Sequence, residues 1–85
     1  MNKRVKVFSA DFCGPCKLLK AVVLPKLESS GWVVEVVDIE TPEGEEEFRA
    51  EGYRGIPTSQ VYKDDVLVKT FNGSVKLSQF EEVME

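Results

Sequence analysis

"FCGPCK", Phe12 to Lys17, holds both cysteines of the chain, two residues apart. Such a pair can be a structural staple, half of a metal site, or a reactive dithiol that opens and closes. The flanking sequence helps to sort these. Upstream, "KRVKVF" (Lys3 to Phe8) alternates charge with valine and predicts a strand that grows more buried along its length. Downstream, "PCKLLKAVVLPKLES" (Pro15 to Ser29) sets Leu19, Val22, Val23 and Leu27 at helical spacing. Pro15 suits a first helical turn, where its missing N–H would lack a partner anyway. The cysteines therefore fall where a strand gives way to a helix. Pro25 lies inside the helical pattern and predicts a kink near Ala21 or an early end.

Further elements follow in alternation. "WVVEVVD" (Trp32 to Asp38) is short and β-branched, a second strand. "TPEGEEEFRAEG" opens with Thr41 as N-cap and Pro42 in the first helical position, and Gly52 closes the helix. "TSQVYK" and "VLVKTF" read as strands joined by a tight turn at Asp64-Asp65. "KLSQFEEVME" (Lys76 to Glu85) places Leu77, Phe80, Val83 and Met84 on one face of a last helix. The order is β-α-β-α-β-β-α. Two strands joined through a helix should run parallel with a right-handed crossover. The last two should form an antiparallel hairpin. The expected architecture is an α/β fold, a four-stranded mixed sheet with helices on both faces.

Bulk composition narrows the function. The chain has 85 residues, so one domain over 1–85 is expected. Hydrophobic residues make up 42% and charged residues 31%, which is enough of each for a soluble core-forming domain. No apolar run is long enough to span a membrane, and the N-terminal stretch lacks the apolar region of a secretory signal. The cytoplasm is therefore the expected compartment, where a close cysteine pair is more often catalytic or metal-binding than structural. A net charge of -4 argues against binding to nucleic acid or to a membrane surface. The chain has no histidine, which removes Cys-His and Ser-His catalysis and most zinc sites.

Helix position then favours a reactive pair. The amino end of a helix carries unpaired N–H groups and a partial positive charge, both of which favour a thiolate. Cys13 is accordingly read as the nucleophile. Cys16, three residues on and less open to solvent, can attack a mixed disulfide at Cys13 and release the reduced partner. Gly14 lets the chain bend into the helix and Pro15 fixes φ for the turn. Tetrahedral zinc needs four Cys or His ligands, and two cysteines offer half of that, so only a dimer or a cluster shared between chains would complete a metal site. A bridge closing so short a loop would remove little unfolded-state entropy, which weakens the staple reading.

"CGPCK" at this junction resembles thioredoxin. A distant second segment, "RGIPTSQVYKDDVLVKTFNG" (Arg54 to Gly73), is similar to the thioredoxin stretch with the cis-proline loop, the following hairpin and a glycine after it. The resemblance covers nearly all of the chain. It implies a thioredoxin fold in a minimal, glutaredoxin-like form and thiol–disulfide oxidoreductase activity. Its only redox group would be the Cys13-Cys16 disulfide, with no other cofactor and no metal. It also implies Pro57 in cis beside the cysteines, with Ile56 left free to pair with an extended substrate segment. Phe12, Gly14, Pro15, Ile56, Pro57 and Gly73 are the expected substrate-binding residues. The implied partners are disulfide-containing proteins and an electron donor, either thioredoxin reductase or glutathione, and the protein is expected to be a monomer.

Departures from the thioredoxin pattern matter. Cys13 follows a single strand, a trimmed layout similar to the small glutaredoxin-like redoxins that serve ribonucleotide reductase. Val7 stands where thioredoxins carry a buried aspartate, and Val34 where they carry its lysine partner. Asp11 is the nearest acid to Cys13. The glutathione-binding pattern of glutaredoxins is matched at Gly73 but not at Asn72, with Lys17 and Lys20 as the cations nearest the motif. Two alternatives remain open: a glutathione-dependent glutaredoxin, and a redoxin-fold subunit that docks on a larger enzyme with the cysteines incidental.

Overall fold

The computed structural model describes residues 2–84. Its elements are β1 (Lys3–Ser9), α1 (Gly14–Leu18), a π turn (Leu19–Val23), α2 (Leu24–Ser29), β2 (Val33–Asp38), α3 (Pro42–Ala50), β3 (Thr58–Lys63), β4 (Val66–Asn72) and α4 (Leu77–Val83). They form one four-stranded sheet in the order β2-β1-β3-β4. β1 pairs with β2 in parallel and with β3 antiparallel, and β3 and β4 make an antiparallel hairpin. The expected mixed sheet is therefore present. The predicted last helix reaches its C-cap at Met84, and Glu85 lies outside the described residues.

Alternation along β1 divides the molecule into two layers. Val5 and Val7 face the helical stretch 14–29 and α4, in a core with Leu19, Leu24, Leu27, Trp32, Val61 and Phe80. Phe8 points to the opposite face, where its ring lies 5.6 Å from Phe48 of α3 and 5.9 Å from Tyr53. Helices thus cover both faces. Trp32 is buried edge-on against Phe80 at 6.2 Å, so it closes the core.

The helix after the cysteines departs from its expected pattern. It does not end before Pro25. Instead one π turn, centred on Ala21, loosens the spiral where Pro25 has no N–H to offer. The wider turn rotates the later residues around the axis. Val22, which the helical spacing put on the core face, is 44% exposed, and Leu24 is buried in its place. Val23 packs at the margin of the core.

Local chemistry sets the other boundaries. Asp64 and Asp65 both take positive φ, 51° and 67°, which turns β3 tightly into β4. Thr41 caps α3 by accepting the Gly44 N–H at 3.0 Å, and its own hydroxyl donates to the Asp38 carbonyl at 2.9 Å. Gly44 passes so close to the end of β2 that a Cβ there would collide with the Asp38 carbonyl and the Thr41 hydroxyl. Glu47 reaches from α3 to Lys6 on β1 at 2.6 Å. This hydrogen bond holds the largely covered ammonium above the usual lysine range, against the opposing pull of burial.

Gly44→Ala should therefore cost about 2 kcal/mol, the usual scale of overpacking, by forcing α3 away from β2. Urea denaturation should show the midpoint falling with an unchanged slope.

Candidate active site

Cys13 ends the loop that leaves β1 and occupies the N-cap position of α1, with extended backbone angles of φ -91° and ψ 113°. A sulfur here does what a serine or aspartate oxygen does in other caps. It accepts the Cys16 backbone N–H at 3.2 Å. The same bond brings the Cys13 sulfur against the residue that carries the second thiol. Both cysteines are free thiols. Cys13 is 9% exposed and Cys16 is fully covered.

Cys16 is the protected member of the pair. Burial is the main cause that pushes its pKa up, to about 11, and its contact with Cys13 adds to the rise. A backbone hydrogen bond involving Ala10 pulls the other way but does not offset burial. At neutral pH Cys16 is thus a covered, protonated thiol, while Cys13 presents a sulfur that already accepts a hydrogen bond.

The distant "GIP" segment comes to the same place. The Ile56-Pro57 peptide bond is cis. The Ile56 carbonyl lies 3.9 Å from Cys13 Sγ, a long contact from the thiol as donor. The Pro57 carbonyl accepts the Gly73 N–H at 2.8 Å, which ties the loop to the end of β4. Thr58 braces it from behind by donating to the Gly55 carbonyl at 2.6 Å. Gly73 takes φ +86°, the left-handed region that glycine adopts without strain.

These contacts bring four of the expected residues together: Cys13, Cys16, Ile56 and Pro57, with Gly73 one hydrogen bond away. Gly14 and Pro15 are exposed on the first turn. Phe12 is 74% exposed beside Cys13, but it does not line the groove that runs along the proline loop. That groove is formed by Gly52 to Ile56 with Asn72 and Gly73. Tyr53, Arg54 and Asn72 were missed as lining residues. Arg54 and Asn72 lie near the two ends of the Arg54–Gly73 segment, and Tyr53 immediately precedes it. Asp11 is exposed, and its backbone N–H donates to the Glu40 carboxylate at 3.0 Å. Among the described residues, no three acidic or cysteine side chains converge as a metal site, and no helix is long and apolar enough to cross a membrane.

The thioredoxin family model matches residues 2–85. The chain belongs to the thioredoxin family. It is 35% identical to thioredoxin 1 from Synechococcus elongatus over 68 residues, covering 80% of this chain and 64% of that one. Over 79 residues it is 27% identical to NADPH-dependent thioredoxin reductase 3 from Arabidopsis thaliana, covering 93% of this chain but only 15% of that protein. It therefore spans less than two thirds of the length of these relatives. In three dimensions it resembles the oxidised crystal structure of thioredoxin O2 from Arabidopsis thaliana. The TM-score is 0.78 at 26% identity, over 98% of this chain and 72% of that one.

Within this thioredoxin frame, the position under the cysteines is apolar. Val7 is fully buried, and Val34 packs against the core. The Lys6–Glu47 pair lies on the α3 side of the sheet, because Lys6 alternates with Val5 and Val7.

Burial of Cys16 makes a pH prediction. The unfolded thiol ionises near 9.0 and the folded one near 11. Between those values the folded state holds a proton that the unfolded state has lost. The stabilisation is therefore complete below about pH 9 and disappears as pH rises towards 11. Melting temperatures of the reduced protein should fall across this window, and a Cys16→Ala variant should fall less steeply.

Proposed function

We propose that this chain is a thiol–disulfide oxidoreductase that reduces disulfides in other proteins. The observation that carries the reading is the capped sulfur: Cys13 Sγ accepts the Cys16 N–H at 3.2 Å and lies 3.9 Å from the carbonyl of Ile56, beside cis-Pro57. The donor that holds the sulfur in the free protein also stabilises negative charge on it, which supports Cys13 as the thiolate nucleophile.

The reaction then runs in two exchanges. An extended segment of the substrate pairs with the backbone at Ile56, with cis-Pro57 and Gly73 shaping the place where its disulfide meets Cys13. The Cys13 thiolate attacks one substrate sulfur. A Cys13–substrate disulfide forms, and the other substrate sulfur leaves as a thiolate that takes a proton from water. Cys16 next gives up its proton to solvent and attacks the Cys13 sulfur. The Cys13–Cys16 disulfide forms, and the second substrate sulfur leaves and is protonated. Two electrons have passed to the substrate. The high pKa of Cys16 supports this order, because a thiol still protonated at neutral pH does not compete for the first attack.

The donor that restores the dithiol is read as thioredoxin reductase. The similarity to a stretch of a protein named NADPH-dependent thioredoxin reductase 3 supports that pairing. Ribonucleotide reductase fits the proposed substrate class of disulfide-bearing proteins. A reductant needs a compartment that regenerates its dithiol, which supports the cytoplasm.

Insulin-disulfide reduction tests the proposal. With NADPH and thioredoxin reductase the protein should turn over, and Cys13→Ser should fall to the uncatalysed background. Rapid turnover with glutathione and its reductase, and none with thioredoxin reductase, would replace the donor assignment. Unchanged turnover in Cys13→Ser would remove the proposal itself.

A further inference from the structure

A second groove opens on the far side of Gly73, with a volume of about 420 Å³. Leu18, Val22 and Lys26 form one wall, at successive turns of the helical stretch that begins with the cysteines. Val75, Lys76 and Leu77 form the other wall, at the start of α4. Its surface is mostly apolar. Leu18 is 63% exposed and Val22 44% exposed, although both are aliphatic and the core does not use them. Val22 faces outward because the π turn rotates it there. Leu18 and Val22 lie one turn apart and open to solvent on the helical stretch that carries Cys16.

Charge sharpens the reading. The chain carries 15 acids against 11 basic residues, yet two lysines and no acid line this groove. Lys17 and Lys20 lie on the same helical stretch. Glu43 and Glu45 to Glu47 lie on α3, against the opposite face of the sheet. The groove is therefore a cationic, apolar strip on an acidic molecule. The two grooves adjoin along the chain: Gly73 lines the first, and Ser74 to Leu77 line this one.

We propose that this groove binds the part of the protein substrate adjoining its target disulfide, and that it selects segments carrying aliphatic side chains together with carboxylates. The inference rests on the oxidoreductase reading and adds a substrate class to it. Aliphatic groups cover Leu18, Val22 and Val75. Carboxylates meet Lys26 and Lys76 at the rim. Each rim pair adds little on its own in water, so selectivity comes from the two lysines acting with the apolar floor.

Three disulfide peptides with one cysteine core test this. One carries Leu and Glu beside the core, one Leu and Lys, and one Ser and Glu. At low salt, kcat/KM for the Leu-Glu peptide should exceed that for the Leu-Lys peptide by about fivefold, the scale of two exposed ion pairs. The gap should close in about 1 M salt. The double variant Lys26→Glu, Lys76→Glu should reverse the order. Leu18→Ser with Val22→Ser should bring the Leu-Glu peptide down to the Ser-Glu peptide. The small neutral substrate 2-hydroxyethyl disulfide should react alike with every variant. Equal kcat/KM for all three peptides, with that small disulfide still reduced, would overturn the groove's role. Failure to reduce even the small disulfide would overturn the oxidoreductase reading instead. A wild-type protein that dimerises at micromolar concentration, and that Leu18→Glu returns to monomer, would give the groove to a second copy and overturn the proposal.

Discussion

The site depends on a single backbone donor. The Cys16 N–H points out of the first helical turn, and in most caps a side-chain oxygen takes such a donor. Here the sulfur of Cys13 takes it at 3.2 Å. That bond does three things at once. It closes the helix, it holds the sulfur at the head of α1, and it puts a partial positive charge where a thiolate would form. Replacing the cap by a residue without an acceptor would lose both the helix end and the chemistry. Structure and reactivity share one hydrogen bond.

The remainder of the molecule holds that junction against the proline loop. β1 lies between β2 and β3, so the loop leaving β1 is anchored on both sides. β3 begins at Thr58, directly after cis-Pro57, and its pairing with β1 brings Thr58 opposite Phe8, near the end of β1. The Gly73–Pro57 hydrogen bond then fastens the loop to the end of β4. Below the site the cysteine side of the sheet carries Val5, Val7 and Val61, all fully buried, with one buried hydroxyl, Ser59, opposite Val7 and no acid among the described residues. A half-buried ion pair, Lys6 with Glu47, ties α3 to the other face. The environment of Cys16 is therefore set by exclusion of water rather than by a neighbouring acid, and its thiol stays protonated for that reason.

Much of this was legible in the chain. The alternation of Lys3 to Phe8, the Thr41-Pro42 start of α3 and the Asp64-Asp65 turn each carry their own local signal, and each element appears where its signal lies. The dithiol shows in its own spacing, and the Arg54–Gly73 segment in its resemblance to thioredoxin. Less was legible where tertiary packing decides. A uniform helical period cannot register the π turn, so it puts Val22 on the core face while the structure turns it outward. Four glutamates lie between Glu43 and Glu47 on α3, and nothing in their spacing singles out one with a distant partner. One of them, Glu47, reaches a lysine on another element. In the half-buried polar chain Tyr62 donates to Gln60 at 3.2 Å and Gln60 donates to Tyr53 at 3.0 Å, and the Tyr53 link has no sequence signature because it forms only once β3 is in place.

The division of labour between the two sulfurs is the point on which the account stands. Rapid-quench mass spectrometry of the reduced wild-type protein, mixed with one equivalent of a disulfide peptide, observes it directly. The transient adduct should map to Cys13 alone before the Cys13–Cys16 disulfide appears. An adduct that maps to Cys16, or equally to both, would contradict the account.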